Sequence, residues 1–337
     1  MQCSNYIRIS HTLLTIPKDI PSNTENLNLI DNKITPVSVN DLKNLTSLVI
    51  LRFRQNKISI VEPGSFQSTR KLELLDLGKN SLTAISKLAF QDLTSLLQLN
   101  LDSNDIYLVE NGALNMPLLQ KLDICCNDLA AFPDVSNLGN LKELKLNYNE
   151  IPNQPLICHM LRSLETLQVK KNKIVSIPDG LFHHCDRITF VDYKANQMTS
   201  LKWISSLSAT IGTILVSDNQ ISGSIPSAWF IHLKKLRKLI LDGNQVDSFD
   251  FASLSYLPAL KILDLRNNRI TSMADPYTWC SGTSCNILEI TAMGNSLPCN
   301  SSFCWDKHFS GITLKRDDCF GKSWSAVTML DLQCKGQ

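Results

Sequence analysis

The chain has 337 residues, of which 43% are apolar, and a formal charge of +2 from 33 basic and 31 acidic side chains. That near-balance excludes attraction to nucleic acid through net charge. Length alone suggests two domains, and eleven cysteines make the redox compartment a question from the start.

The first residues lack the apolar run of a secretory leader, because Tyr6, Ile7 and Ile9 are interrupted by Arg8. The chain is read as a fragment whose amino-terminal cap has been cut, in preference to a gene product with a degenerate cap. From residue 24 onward one phrase returns twelve times: L-x-x-L-x-L-x-x-N-x-L, as in Leu48, Leu51, Phe53, Asn56, Ile58 and again in Leu72, Leu75, Leu77, Asn80, Leu82. Its asparagines are Asn32, Asn56, Asn80, Asn104, Asn127, Asn149, Asn172, Asn196, Asn219, Asn244, Asn268 and Asn295, between 22 and 27 residues apart. That period is the one of a leucine-rich-repeat solenoid, an α/β horseshoe with a parallel sheet on its concave face and irregular or short helical convex segments. A coil of this length cannot bury its leucines alone, so coils must stack and share a core. An unbroken array removes the two-domain prior. The organisation expected is a partial cap over 1–23, twelve repeats over 24–298 and a cysteine-rich cap over 299–337.

Alternation along each short strand separates inward from outward residues. Leu75 and Leu77 face in, and the asparagine amide, with two donors and an acceptor, satisfies backbone groups where the chain turns. Outward residues in the early repeats are Arg52 and Arg54, followed by Asp76, Asp102 and Asp123. The middle repeats offer Lys145, Lys170 and Lys194 with Tyr148 and Gln168, and the later ones Phe190, Leu215, Ile240 and Ile262 with Asp242, Asp264 and Arg266. Apolar residues beside charges on a solvated face are the composition of a protein-binding patch, so this region is the candidate ligand site, although solvated strands also carry such residues without a partner.

Catalysis finds no support in His11, His159, His183, His184, His232 and His308, which form no Ser/His/Asp order or paired ligand motif, and no metal or cofactor is expected. His183-His184-Cys185 lacks the spacing of a closed metal site. Cys125 is expected to point outward beside Cys126, without a base or cation to activate it. Cys158 and Cys185 precede their strands at comparable places in consecutive coils, which makes them a candidate pair on the convex side, and Cys280 and Cys285 flank a short loop that a small disulfide is expected to close. Asn44-Leu45-Thr46 and Asn300-Ser301-Ser302 are glycosylation acceptors outside the strands. The four cysteines Cys299, Cys304, Cys319 and Cys334 follow the last repeat, where a stapled module would cover the open end of the core; with no Cys-x-x-Cys and only His308 nearby, disulfides are favoured over zinc.

The segment from Asn295 through Cys299, Cys304 and Trp305 to Cys319 and Cys334 resembles the carboxy-terminal cap of extracellular leucine-rich-repeat proteins, with four residues where many such caps have one between the first two cysteines. Cys3, Leu14 to Pro17 and Ile20-Pro21 resemble the end of the matching amino-terminal cap, with Ser10 where a cysteine normally sits. Phe66 and Phe90 resemble the phenylalanine position of the animal subclass, and Ile221 to Pro226 resembles the plant receptor subclass. The resemblance implies the pairs Cys299 with Cys319 and Cys304 with Cys334. It further implies an ectodomain similar to those of Toll-like receptors and variable lymphocyte receptors: a secreted or cell-surface glycoprotein of immunity or adhesion that binds a protein or glycan. Any membrane span would lie outside this chain, and homodimerisation is open. A matrix or adhesion protein acting by self-assembly is the first alternative and an intracellular inhibitor the second.

Overall fold

The computed structural model describes residues 6–9, 12–272, 287–297 and 313–315. The chain forms two compact units, Met1–Lys173 and Ile174–Gln337. In the first, the short strands Tyr6–Arg8, Asn26–Asn28, Ile50–Arg52, Leu74–Asp76, Gln98–Asn100, Lys121–Asp123, Glu143–Lys145 and Thr166–Gln168 pair in parallel and in chain order. Register is constant from coil to coil, with Leu27, Leu51, Leu75, Leu99, Leu122, Leu144 and Leu167 side by side. These leucines are buried, as are Leu29, Phe53, Leu77, Leu101, Ile124, Leu146 and Val169 two residues on. Two inward positions per strand therefore build the core of a parallel-sheet solenoid, and the residues between them form the solvent face. Tyr6–Arg8, expected in the cap, is the first strand of this sheet.

The second unit repeats the plan with strands Phe190–Asp192, Thr213–Leu215, Lys238–Ile240, Ile262–Asp264, Glu289–Thr291 and Thr313–Lys315. The last of these falls within the residues expected as a cap. Its opposite side has more structure than that of the first unit. Lys202–Ser206, Ser227–Trp229 and Phe251–Tyr256 are short 3-10 turns, and Trp203 packs against Phe182 and Tyr193 with ring centroids 5.5 and 5.2 Å away. Ser222–Ile225 pairs in parallel with Gln245–Phe249, so the plant-like sequence signal, legible in one coil, involves a strand in each of two. In the first unit, Phe66 and Phe90 are buried and pack against each other with tilted rings whose centroids are 6.1 Å apart, which explains the recurrence of phenylalanine at that place.

The asparagines do what their chemistry dictates. Asn104 accepts from the Leu82 N–H at 3.0 Å and donates to the carbonyls of Leu77 and Leu101 at 3.1 and 3.0 Å. Asn219 in the second unit makes the same three bonds, to Met198, Tyr193 and Val216. Each amide thus closes its own coil and ties it to the one before. The residue preceding the asparagine adopts the left-handed conformation, as Gln55, Lys79, Ser103, Cys126, Tyr148 and Lys171 do, and this turn carries the chain off the sheet.

Candidate functional site

The solvent face of the first unit carries three rows of side chains. The middle row reads Asn28, Arg52, Asp76, Asn100, Asp123, Lys145 and Gln168, set laterally by the strand register. Around its centre is a depression of about 310 Å³, lined by Arg52, Asp76, Asn100, Asp123, Glu143 and Lys145 among others. Most of its charge is already engaged. Lys145 holds Glu143 at 2.8 Å and lies 3.9 Å from Asp123, and these acids, Glu143 first, raise its pKa.

In the next row Arg54 reaches past one whole coil. Its guanidinium makes a two-pronged bond with the Asp102 carboxylate and lies 3.7 Å from Asp76. The coil between contributes Gly78, where an added Cβ would collide with Arg54 and Asp102. Burial pushes both carboxyls up. For Asp102 the hydrogen bonds from Arg54 and then Ser103 outweigh burial and hold it below the usual carboxylate range, whereas at Asp76 burial wins over the Gly78 N–H and Arg54.

On the second unit, Phe190, Leu215, Ile240 and Ile262 all face outward and all are half-buried. They do not form one patch. Leu215 and Ile240 are direct lateral neighbours, flanked by Asp192 and Asp264, while Phe190 and Ile262 lie one row away with Thr213 and Lys238 between them. Asp264 is only 6% exposed, which the alternation does not foresee, because Arg266 folds over it with contacts of 2.6 to 3.0 Å and also lies 4.0 Å from Asp242. Asp242 in turn accepts from the Ser217 hydroxyl. Lys194 lies 3.4 Å from Asp218, so two of the three lysines expected as a basic group, Lys145 and Lys194, have acidic partners. Among the described residues Lys170 has none; its ammonium lies 5.5 Å from the Tyr148 ring.

Cys125 and Cys126 are free, and burial above all, with Asp123 acting at both, raises each thiol's pKa, the environment of an unreactive thiol. Cys158 and Cys185 are each buried and disulfide-bonded. Asn44 and Thr46 are exposed on a turn, open to modification. The disulfides expected for Cys280, Cys285, Cys299, Cys304, Cys319 and Cys334, and the acceptor Asn300, lie outside the described residues, as does Cys3. Among the described residues no cluster of three potential metal ligands occurs, and no helix is long and apolar enough to cross a membrane.

Stacked coils, parallel strands and an asparagine ladder decide the fold, and residues 46–106 and 209–270 match the leucine-rich-repeat family model. The chain has the leucine-rich-repeat fold. Its repeats are 45% identical over 176 residues to a leucine-rich repeat and fibronectin type III domain-containing protein 1-like protein of Danio rerio, covering 50% of this chain and 26% of that one. They are 30% identical over 160 residues to a protein phosphatase 1 regulatory inhibitor subunit PPP1R7 homolog of Arabidopsis thaliana, 46% of each chain. The match thus spans less than half the length of either relative. Among solved structures, a leucine-rich-repeat protein of Leptospira interrogans superposes with a TM-score of 0.76 at 25% identity over 86% of this chain and 72% of that one. The plant peptide hormone receptor RGFR1 in complex with RGF2 gives 0.65 at 22% over 86% and 50%. The fold is therefore shared with that receptor.

Proposed function

We propose that this chain is a non-catalytic extracellular recognition domain that binds a polypeptide on the solvent face of its sheets. The observation that carries the reading is the face itself: registered rows of half-buried side chains fixed by ion pairs and by the ladder beneath, so that a ligand meets a preorganised surface at little ordering cost. The disulfide-bonded Cys158 and Cys185 and the exposed Asn44 acceptor favour an oxidising, secretory route. The identity with the phosphatase inhibitor subunit favours a second reading, an intracellular inhibitor, in which both cysteines would be reduced.

The test is capture of ligands from a library of secreted and cell-surface proteins, with Ile240→Asp as the comparison. The substitution places a charge between Leu215 and Asp264 without touching the core. Capture is expected to fall at least about tenfold with thermal unfolding unchanged; equal capture by the variant would remove the Leu215–Ile240 pair from the binding surface. Counting thiols on the denatured, unreduced secreted protein separates the compartments: blocked Cys158 and Cys185 support the extracellular reading, and free ones the intracellular.

A further inference from the structure

Where most cations on the first unit's face have a carboxylate partner, one cluster has none. Tyr148 and Lys171 occupy the same left-handed turn in successive coils, with φ of 57° and 52°. The Tyr148 N–H donates to the Lys170 carbonyl at 2.8 Å, which sets the two coils side by side. The Tyr148 ring is 44% exposed, with the Lys171 ammonium 5.0 Å and the Lys170 ammonium 5.5 Å from its centroid. The support beneath is fixed: Asn147 accepts from the Lys170 backbone N–H at 2.8 Å and donates to Gln168 at 2.9 Å. Among the described residues no carboxylate lies within ion-pairing distance of either ammonium. Lys145 is held by Glu143 and Lys173 by Glu150.

Resting on the polypeptide reading above, we infer that Tyr148, Lys170 and Lys171 form a subsite for an acidic side chain of the ligand. Two ammonium groups sharing one ring repel each other, and the ring offsets this by only about 1 kcal/mol at an exposed site. A carboxylate seated against both relieves the repulsion, and the ring face takes the apolar stem of a glutamate or aspartate. The surroundings select an isolated negative charge over a polyanion. The neighbouring ammonium groups are already taken, Lys145 by Glu143 and Asp123 and Lys173 by Glu150, so a sulfated chain with a charge on every sugar finds no further unpaired lysine beside the subsite. On the same face Arg52, which lines the depression, donates to Asn26 at 3.0 Å and has no carboxylate partner among the described residues. Four strand intervals of about 4.8 Å separate the Arg52 strand from the coil of Tyr148 and five from that of Lys170 and Lys171, a span of roughly 19 to 24 Å that about six or seven extended residues cover. The occupant is thus an extended segment crossing the strands, with one acidic residue at Tyr148 and a second about six or seven positions away at Arg52.

Random dodecapeptides displayed on phage and selected on the whole chain test this, followed by fluorescence anisotropy on the recovered peptides and their Glu→Gln or Asp→Asn versions. The expected result is an acidic residue recurring at one position. Its neutralisation, or K170Q/K171Q in the protein, weakens binding about tenfold, not additively, and K170R/K171R retains affinity. Unfolding of both double variants is expected to match that of the unchanged chain. Peptides with no acidic preference, or equal affinity for K170Q/K171Q, would overturn the subsite while leaving polypeptide recognition intact. Failure to recover any peptide, or peptides indifferent to Asn100→Arg in the centre of this face, would overturn polypeptide recognition here and the subsite with it. A heparin octasaccharide that binds the unchanged chain and loses affinity for K170Q/K171Q would reassign the subsite to an acidic glycan.

Discussion

The two units share one backbone plan and use its solvent face differently. On the first, charges dominate and two contacts tie them across coils, Arg54 to Asp102 over Gly78 and Lys145 to Asp123, while Lys145 also holds Glu143 of its own strand. On the second, an apolar pair, Leu215 and Ile240, lies between acids, and the strongest ion pair is local, Arg266 over Asp264 two residues away. Identical scaffolding with different facing residues shows that the ladder and core carry stability while the face is left to vary. Fold and specificity therefore occupy separate sets of positions.

The largest expected effect is common to both units. Asn104→Ala and Asn219→Ala each strand one N–H and two carbonyls, at a cost of about 3 kcal/mol or more, read by urea unfolding. A much smaller loss in one unit would mean that the scaffolds are not equivalent. Next, Gly78→Val wedges a side chain under the Arg54–Asp102 bridge and is expected to cost about 1–2 kcal/mol. In that background Asp102→Asn should cost little more, and full additivity would show the bridge to be idle.

The acids near Arg54 sharpen the comparison by opposite signs. Asp102 has its folded-state pKa below the usual range, so its stabilisation is present at neutral pH and is lost as pH falls through that pKa. Asp76 is raised, so its ionised form opposes folding at neutral pH and the penalty disappears on acidification. Asp102→Asn should therefore lower the melting temperature at pH 7 and less so towards pH 3, while Asp76→Asn should raise it or leave it unchanged. Parallel profiles would contradict this assignment. The smallest effect is expected for Arg266→Gln, under about 1 kcal/mol by thermal unfolding, because this partly exposed cation is bound within one strand end.

The core and the ladder were legible because their signal repeats: Leu75, Leu77 and Asn80 have counterparts a coil away in either direction. Outward orientation was legible by alternation, which placed Ile240 and Lys145 on the face. Pairing was not. Whether Lys145, Lys170 or Lys194 is engaged across the sheet depends on the side chains one coil away, and only the register tells that Lys145 meets Asp123 and Lys194 meets Asp218 whereas Lys170 meets an aromatic ring. Asp264 was lost to alternation because Arg266, two residues on in its own coil, folds back and buries it. The bridge over Gly78 left a signal that could have been found: writing the repeats beneath one another aligns Arg54, Gly78 and Asp102 in one column.

That column also limits how the protein can be rebuilt. Repeat arrays are commonly treated as strings of interchangeable cassettes, each answerable only to its two neighbours. Here the segment bearing Gly78 serves partners on either side of it, so exchanging that cassette alone for any other in the chain installs a side chain where none fits. Its smallest portable block is three coils, and recombination or loop-grafting schemes that cut within 54–102 will separate residues that work only together.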